Sequence, residues 1–481
     1  MTTWMCAAAV VLAAGCGDAG GGEASVSATG TSGGPPVTTS STGALPTTGS
    51  SDSESTPTSG GVSESATGTT TAGTTGGVSA TSGGTSGEGT SSGGTTAADS
   101  TTGEPAVCVD PDLTPGALAI DADCQIDAMV GSWMPIIEWQ DNTLGNSYTT
   151  PAIANLTDDN KDGVIDGDDI PDIAVATAAG AVYVLSGDGK GQHWKAAENM
   201  GGEPSSATIA DLDGDGRPEV IVSGPTGFYA WHGDTGALMW KNSVANSQPV
   251  CGGSSVYDLD GDGTPEVVQG HRIFNGQDGT LRGAGVVGKG TGHGSDLAHF
   301  GVAADLDQDG DQEVVVGNAT YDADGKTLWS TAEHDGFVAI GNFDGDDFGE
   351  VVVSWYPGMV RLQDHDGKVI WTVSIGGSTI GPPTVADFDG DGAPEIGVAG
   401  QNIYAVLDGD GTKLWSKIIA DGSGFTGSAV FDFEGDGKAE VVYADEQDLW
   451  VFDGATGAVK LQESSHSSST CSEYPSIADV D

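Results

Sequence analysis

Residues 206–241 read SATIADLDGDGRPEVIVSGPTGFYAWHGDTGALMWK, and this stretch decides the fold. It opens on a short apolar run, SATIA, and turns through an acidic loop, DLDGDGRPE, at residues 211–219. The β-branched run VIVSG, a glycine turn, the aromatic run FYAWHG, a TG turn and the run ALMWK follow. Short β-branched and aromatic runs bounded by Gly, Asp and Pro predict strands joined by tight turns, four to the unit.

The unit recurs. The first residue of each acidic loop falls at 158, 211, 258, 305, 342, 387, 432 and 479, a mean spacing of about 46 residues. A four-stranded unit at this period predicts an all-β fold, a seven- or eight-bladed β-propeller. No segment keeps a 3.6-residue apolar period, which excludes helical solenoids. Parallel β-helices have shorter rungs.

The ends show the same register. PIIEWQ, residues 135–140, reads as the last strand of a unit without its loop. Trp139 precedes Asp158 by 19 residues, against 18 from Trp240 to Asp258 and 17 from Trp194 to Asp211. PSIADVD, residues 475–481, opens an eighth unit. The expectation is that the N-terminal strand completes the last blade and closes the ring, with a natural chain that continues past Asp481.

The loops carry the chemistry. Asp211, Asp213 and Asp215 hold positions 1, 3 and 5, Gly216 position 6 and Glu219 position 9. The same pattern comprises Asp258, Asp260, Asp262 and Glu266; Asp305, Asp307, Asp309 and Glu313; and Asp387, Asp389, Asp391 and Glu395. In the copy with Asp432, Asp436 and Glu440, Glu434 takes position 3. Another has Asn342, Asp344, Asp346 and Glu350, with Asp347 replacing the glycine, and is expected to be the weakest. The first, Asp158, Asn160 and Asp162, runs on through Asp166 to Asp169 and is long enough to resemble an EF-hand-type loop.

Calcium takes six to eight oxygen ligands at about 2.3–2.6 Å, and a tight loop turns alternate side chains inward to supply them. Glycine at position 6 permits the positive-φ turn around the ion. Four carboxylates this close repel one another unless a cation intervenes. Solvated Asp-Gly turns are common singly; repetition in register predicts calcium, several ions per chain, structural rather than sensory. Magnesium, bound to strict octahedra and its own waters, fits less well.

The strand–DxDxDGxxE–strand unit resembles the FG-GAP/VCBS repeat of integrin α-subunit propellers and many exported bacterial proteins. It covers residues 135–481. The resemblance implies a propeller and calcium. The family includes adhesins, polysaccharide-binding proteins and some polysaccharide lyases, so the motif does not select one function.

The chain has 70 acidic and 15 basic residues, a formal charge of −55. Such a surface excludes nucleic acid and anionic lipid as partners. At the N-terminus, WMCAAAVVLAA (residues 4–14) is too short to span a bilayer and reads as an export signal. AAGC, ending at Cys16, resembles the lipobox of bacterial lipoproteins, which implies lipidation of Cys16. Residues 1–16 are thus expected to be a signal peptide, and 17–105, rich in Ser, Thr and Gly, a disordered tether. The propeller domain is expected over 106–481, exported to the cell envelope or surface and held to the membrane only by lipid. Disulfides are expected from Cys108 to Cys124 and from Cys251 to Cys471.

Trp194, Trp240, Trp329, Trp371 and Trp415 each end a unit after a DG, TG or similar turn and are expected to pack between blades. They also resemble strands of quinoprotein dehydrogenases, but no charged constellation for a quinone accompanies them. The glycine-rich stretch at residues 283–299 carries His293, Asp296 and His299, the place to look for catalysis at the propeller mouth. No nucleophile elbow, phosphate loop or zinc motif is present, so no catalytic residue is assigned. The leading expectation is a monomeric, non-enzymatic recognition or adhesion module for an extracellular glycan or protein ligand. The alternatives are a calcium-dependent polysaccharide lyase or related carbohydrate enzyme and a purely structural envelope protein.

Overall fold

A computed structural model of the chain describes residues 133, 137–202, 204–243, 251–293, 297–464 and 474–478. The signal, Cys16, the tether, Cys108, Cys124, Asp296, Cys471 and Asp479 lie outside the described residues. Seven antiparallel four-stranded sheets follow one another along the chain, each in the order first, second, third, fourth strand. They span residues 152–195, 208–242, 255–284, 302–330, 337–374, 384–418 and 429–463, here blades 1 to 7. The fold is a seven-bladed β-propeller.

Burial explains why each strand takes its place. Second strands such as Glu219–Gly224 and Glu395–Gly400 are buried along their whole length, which their near-continuous apolar runs require. Fourth strands such as Val369–Ser374 alternate between exposed and half-buried residues, as an outer edge should. First strands line the axis, and those of blades 1 and 2, 2 and 3, 4 and 5, 5 and 6, and 6 and 7 touch.

The core lies between blades rather than within any one of them. Leu212, Ile221, Phe228 and Ala230 of blade 2 form one buried cluster with Val267 and Phe274 of blade 3. Val315 of blade 4 does the same with Val351 and Val353 of blade 5. The tryptophans stitch these interfaces. Trp194 Nε1–H donates to Gly233 O at 2.6 Å, Trp240 to Gly276 O at 2.7 Å, Trp371 to Gly409 O at 2.8 Å and Trp415 to Gly454 O at 2.6 Å, each in the next blade.

The seam between blades 7 and 1 repeats these bonds with segments from the two ends. Trp139 Nε1–H donates to Gly187 O of blade 1 at 2.7 Å, as a preceding fourth strand would. Elsewhere a first-strand hydroxyl donates to a carbonyl of the next blade: Thr208 to Ser254 at 2.7 Å, Thr384 to Ser428 at 3.0 Å. At the seam Ser476 Oγ donates to Pro151 O at 3.1 Å, and Tyr474 N–H to Thr150 Oγ1 at 2.9 Å. Blade 7 has its own fourth strand, Val459–Glu463, so Trp139 takes the place of a strand preceding blade 1, and residues 137–140 form no strand in the seven sheets. Cys251 is disulfide-bonded, its partner lying outside the described residues.

Candidate metal centres

Every acidic loop joins a first strand to a second, so all seven lie on one face of the ring. Backbone turns fold each loop onto its own carboxylates. Asp211 accepts the N–H of Gly214 at 2.8 Å on Oδ1 and of Gly216 at 2.9 Å on Oδ2. Asp387 repeats both bonds from Gly390 and Gly392, whereas Asp258, Asp305, Asp432 and Asp158 accept the position-6 glycine N–H on Oδ2 and the position-5 N–H on Oδ1. These bonds require positive φ at position 6, and position 4 takes it as well: Gly214 (φ 76°) and Gly216 (φ 81°) in blade 2. Lys161 (φ 66°) and Gln308 (φ 60°) adopt it at position 4 without being glycine.

In blade 2 the carboxylates at positions 3 and 5 each accept one backbone N–H on Oδ1, Asp213 from Asp215 and Asp215 from Arg217. Their second oxygens remain for a cation. Ligand atoms of Asp211, Asp213 and Asp215 lie within 4.8 Å of one another, as do those of Asp258, Asp260 and Asp262, and of Asp305, Asp307 and Glu313. The donor set is all oxygen and mostly anionic, which fits calcium. In blade 5, Asn342 accepts Gly345 N–H at 2.8 Å but turns its amide to donate to Asp346 O at 2.6 Å. Asp347 there stays out of the left-handed region, so this loop closes differently from the others.

Position 9 is buried beneath its loop. Glu219 Oε2 accepts the N–H of Leu212 at 2.9 Å, and Glu266, Glu313, Glu350, Glu395 and Glu440 repeat this on Leu259, Leu306, Phe343, Phe388 and Phe433. In blade 1 the counterpart is Asp172, whose Oδ2 accepts Leu156 N–H at 3.1 Å. Asp169 instead ties the loop together, accepting the N–H groups of Asp159, Asn160 and Asp166. Asp166 caps the N–H of Asp168. The sequence signal for Asp172 was available: Pro171-Asp172 stands where Pro218-Glu219, Pro265-Glu266 and Pro394-Glu395 stand elsewhere.

Burial raises the position-9 acids above the ordinary glutamate range, and neighbouring carboxylates add to it; Glu313 and Glu395 are each pushed up to about 7. Folding therefore favours the protonated acid, and the metal-free folded chain holds extra protons between the ordinary value of 4.5 and about 7. Its stability falls as pH rises through that window. Asp188, held down to about 2 by hydrogen bonds from Lys190 and Ser186, acts only below it. Melting in EGTA is expected at lower temperature near about pH 7.5 than near about pH 5.5. Because calcium and protons compete for the same oxygens, the gain on adding calcium should grow with pH. A pH series of thermal melts checks both, and a metal-free Tm that climbs across the window would contradict them.

Of the sequence candidates for catalysis, His293 and His299 lie among the described residues. The His293 ring packs at 4.0 Å against Phe425, and burial lowers its pKa. His299 is buried. The adjacent Phe300 meets Phe337 of blade 5 at 5.8 Å and Tyr474 of the seam at 6.5 Å. Aromatic side chains thus meet across the ring of first strands, where the sequence reading places a mouth.

The FG-GAP-like repeat family matches the chain in three places, residues 165–222, 211–269 and 387–443. No curated protein sequence matches significantly. Among solved structures, the V. cholerae biofilm matrix protein Bap1 is similar with a TM-score of 0.58 at 20% identity, over 70% of this chain and 83% of that one. The Bacillus licheniformis rhamnogalacturonan lyase PL11 aligns with a TM-score of 0.46 at 20% identity, over 66% of this chain and 64% of that one. The chain carries FG-GAP-like repeats on a β-propeller.

Proposed function

We propose that the chain is an exported, calcium-stabilised recognition module, tethered outside the cell, that binds a glycan or protein ligand on its propeller surface. The observation that supports it best is the convergence of carboxylates in loop after loop on one face. Glu350 shows the fit most directly: the residue is fully buried and its Oε1 has no hydrogen-bond partner. Calcium there would neutralise the loop and clamp a first strand to a second, a scaffolding role.

Binding is favoured over catalysis by the packing of His293 and His299. An enzyme needs acid and base side chains converging on a space a substrate can enter. Here the His293 ring packs on Phe425, and His299 is buried beside His271. The exposed faces of a rigid ring suit a large ligand.

Extracellular polysaccharides and matrix proteins, presented on an array with calcium and then with EGTA, test the proposal. The expected result is calcium-dependent binding with the polysaccharide recovered intact. Appearance of new unsaturated sugar ends would replace it with the lyase reading, and no binding to either polymer class would remove it.

A further inference from the structure

Each of the seven blades carries the same irregularity: the pairing of third and fourth strands slips by one residue. The extra residue is His193, Met239, Arg282, Leu328, Ile370, Leu414 or Lys460 in blades 1 to 7. A bulge re-aims its side chain out of the ladder, and here it aims at the acidic loop. Arg282 donates from NH2 to Asp260 of position 3 at 2.6 Å and from NH1 to Glu266 of position 9 at 2.7 Å. Lys460 Nζ sits 2.7 Å from Glu434 of position 3 and 2.6 Å from Glu440 of position 9. In blade 1 His193 Nε2 lies 2.8 Å from Asp172. Blade 2 has Met239 at the bulge, and its Glu219 is met from the third strand by His232 Nδ1 at 3.0 Å.

Blades 4, 5 and 6 have no such partner. Their bulge residues are Leu328, Ile370 and Leu414, exposed at 43%, 48% and 40% and without charge to offer the loop. Among the described residues no basic side chain bonds Glu313, Glu350 or Glu395, each of which has only its backbone N–H donor. Glu350 Oε1 is buried without any partner, with Asp344 and Asp346 close enough to repel its charge.

We infer that the bulged fourth-strand residue decides how far a blade depends on its ion. Arg282 and Lys460 are built-in cations that bridge positions 3 and 9, so blades 3 and 7 keep their loops closed without metal. With Leu328, Ile370 and Leu414 in that place, blades 4 to 6 leave the same carboxylates to a divalent cation alone. Removing calcium therefore loosens the middle of the chain first, and loops that share one motif, such as those of blades 3 and 4, differ in affinity. The inference rests on the proposed calcium reading and adds to it the residue that ranks the sites.

Reciprocal substitutions test it in the full chain: Lys460→Met removes a built-in cation, and Leu414→Lys installs one at an exposed position. Melts are run with calcium and with EGTA, and bound calcium is counted by equilibrium dialysis. Lys460→Met should lower the Tm in EGTA by roughly 2–5 °C and by much less in calcium, because an ion can take over the lost charge. Leu414→Lys should raise the Tm in EGTA and bind one ion fewer, or bind it at least about tenfold more weakly. Equal shifts of either variant in both conditions would overturn the inference, reducing Lys460 to an ordinary salt-bridge partner. If the unsubstituted chain neither binds calcium nor responds to EGTA, the underlying calcium reading itself fails.

Discussion

Chelating divalent cations with EGTA lowers the melting temperature of this propeller by at least about 10 °C. An ion that binds only the folded state contributes RT ln(1 + [L]/Kd), about 2.7 kcal/mol at a hundred times Kd. Three loops without a built-in cation then supply about 8 kcal/mol together, before any share from the rest. For a domain of this size each kcal/mol moves Tm by roughly 1–2 °C, extrapolating from smaller domains. The effect is large because each loop ties a half-buried first strand, such as Thr208–Ala210, to a fully buried second strand. Without an ion, the buried position-9 carboxylates of blades 4 to 6 face the acids above them uncompensated. Excess calcium should restore the melt, and magnesium should restore it poorly because it holds its waters and insists on octahedral geometry. A Tm indifferent to EGTA would leave the loops as ordinary turns.

The second large effect belongs to the tryptophans. Trp240→Ala is expected to cost about 3–5 kcal/mol of unfolding free energy, read as a fall in the urea midpoint. Trp240 is 7% exposed and belongs to the cluster shared by blades 2 and 3. Its ring meets Phe228 edge-on at 5.6 Å and lies so close to Gly279 that a Cβ there would come within 2.4 Å of it. Truncation opens a cavity at an interface and orphans Gly276 O. Trp240→Phe keeps most of the volume and loses the hydrogen bond, so about 1–2 kcal/mol is expected. The control is Leu238→Ala, two residues away at 41% exposure, which should cost under about 0.5 kcal/mol. A Trp240→Ala cost no larger than that control would contradict an interblade role.

What the amino-acid sequence reveals follows from what is local. The acidic loop, the β-branched second strand and the turn before each tryptophan are contiguous, and their recurrence identifies blade and ring. The interblade role of Trp240 could be read because repetition puts one bulky ring at every unit's end. Features that depend on register were hidden. Arg282 and Lys460 reach positions 3 and 9 only because a one-residue bulge turns them, and nothing in LRGA or VKLQ announces it. Asp172 was passed over because blade 1's longer loop offers Asp166 and Asp169 first, although the proline before Asp172 marks its place. The packing of Phe300 onto Tyr474 joins residues far apart in the chain, which no local motif announces. Position 4 shows the same limit: Lys161 and Gln308 adopt a turn that glycine advertises in the other copies.

The central claim, that repeated acidic loops are the ion sites that build this propeller, is tested most directly by counting calcium. The chain is stripped with EGTA, dialysed to equilibrium against calcium in the presence of excess magnesium, and its metal content measured per chain. The account predicts at least three calcium ions, with blades 4 and 6 filling before blade 5, whose loop opens on Asn342, and removal of that calcium should loosen the same blades in hydrogen exchange. One ion or none, or full displacement by magnesium, would contradict it.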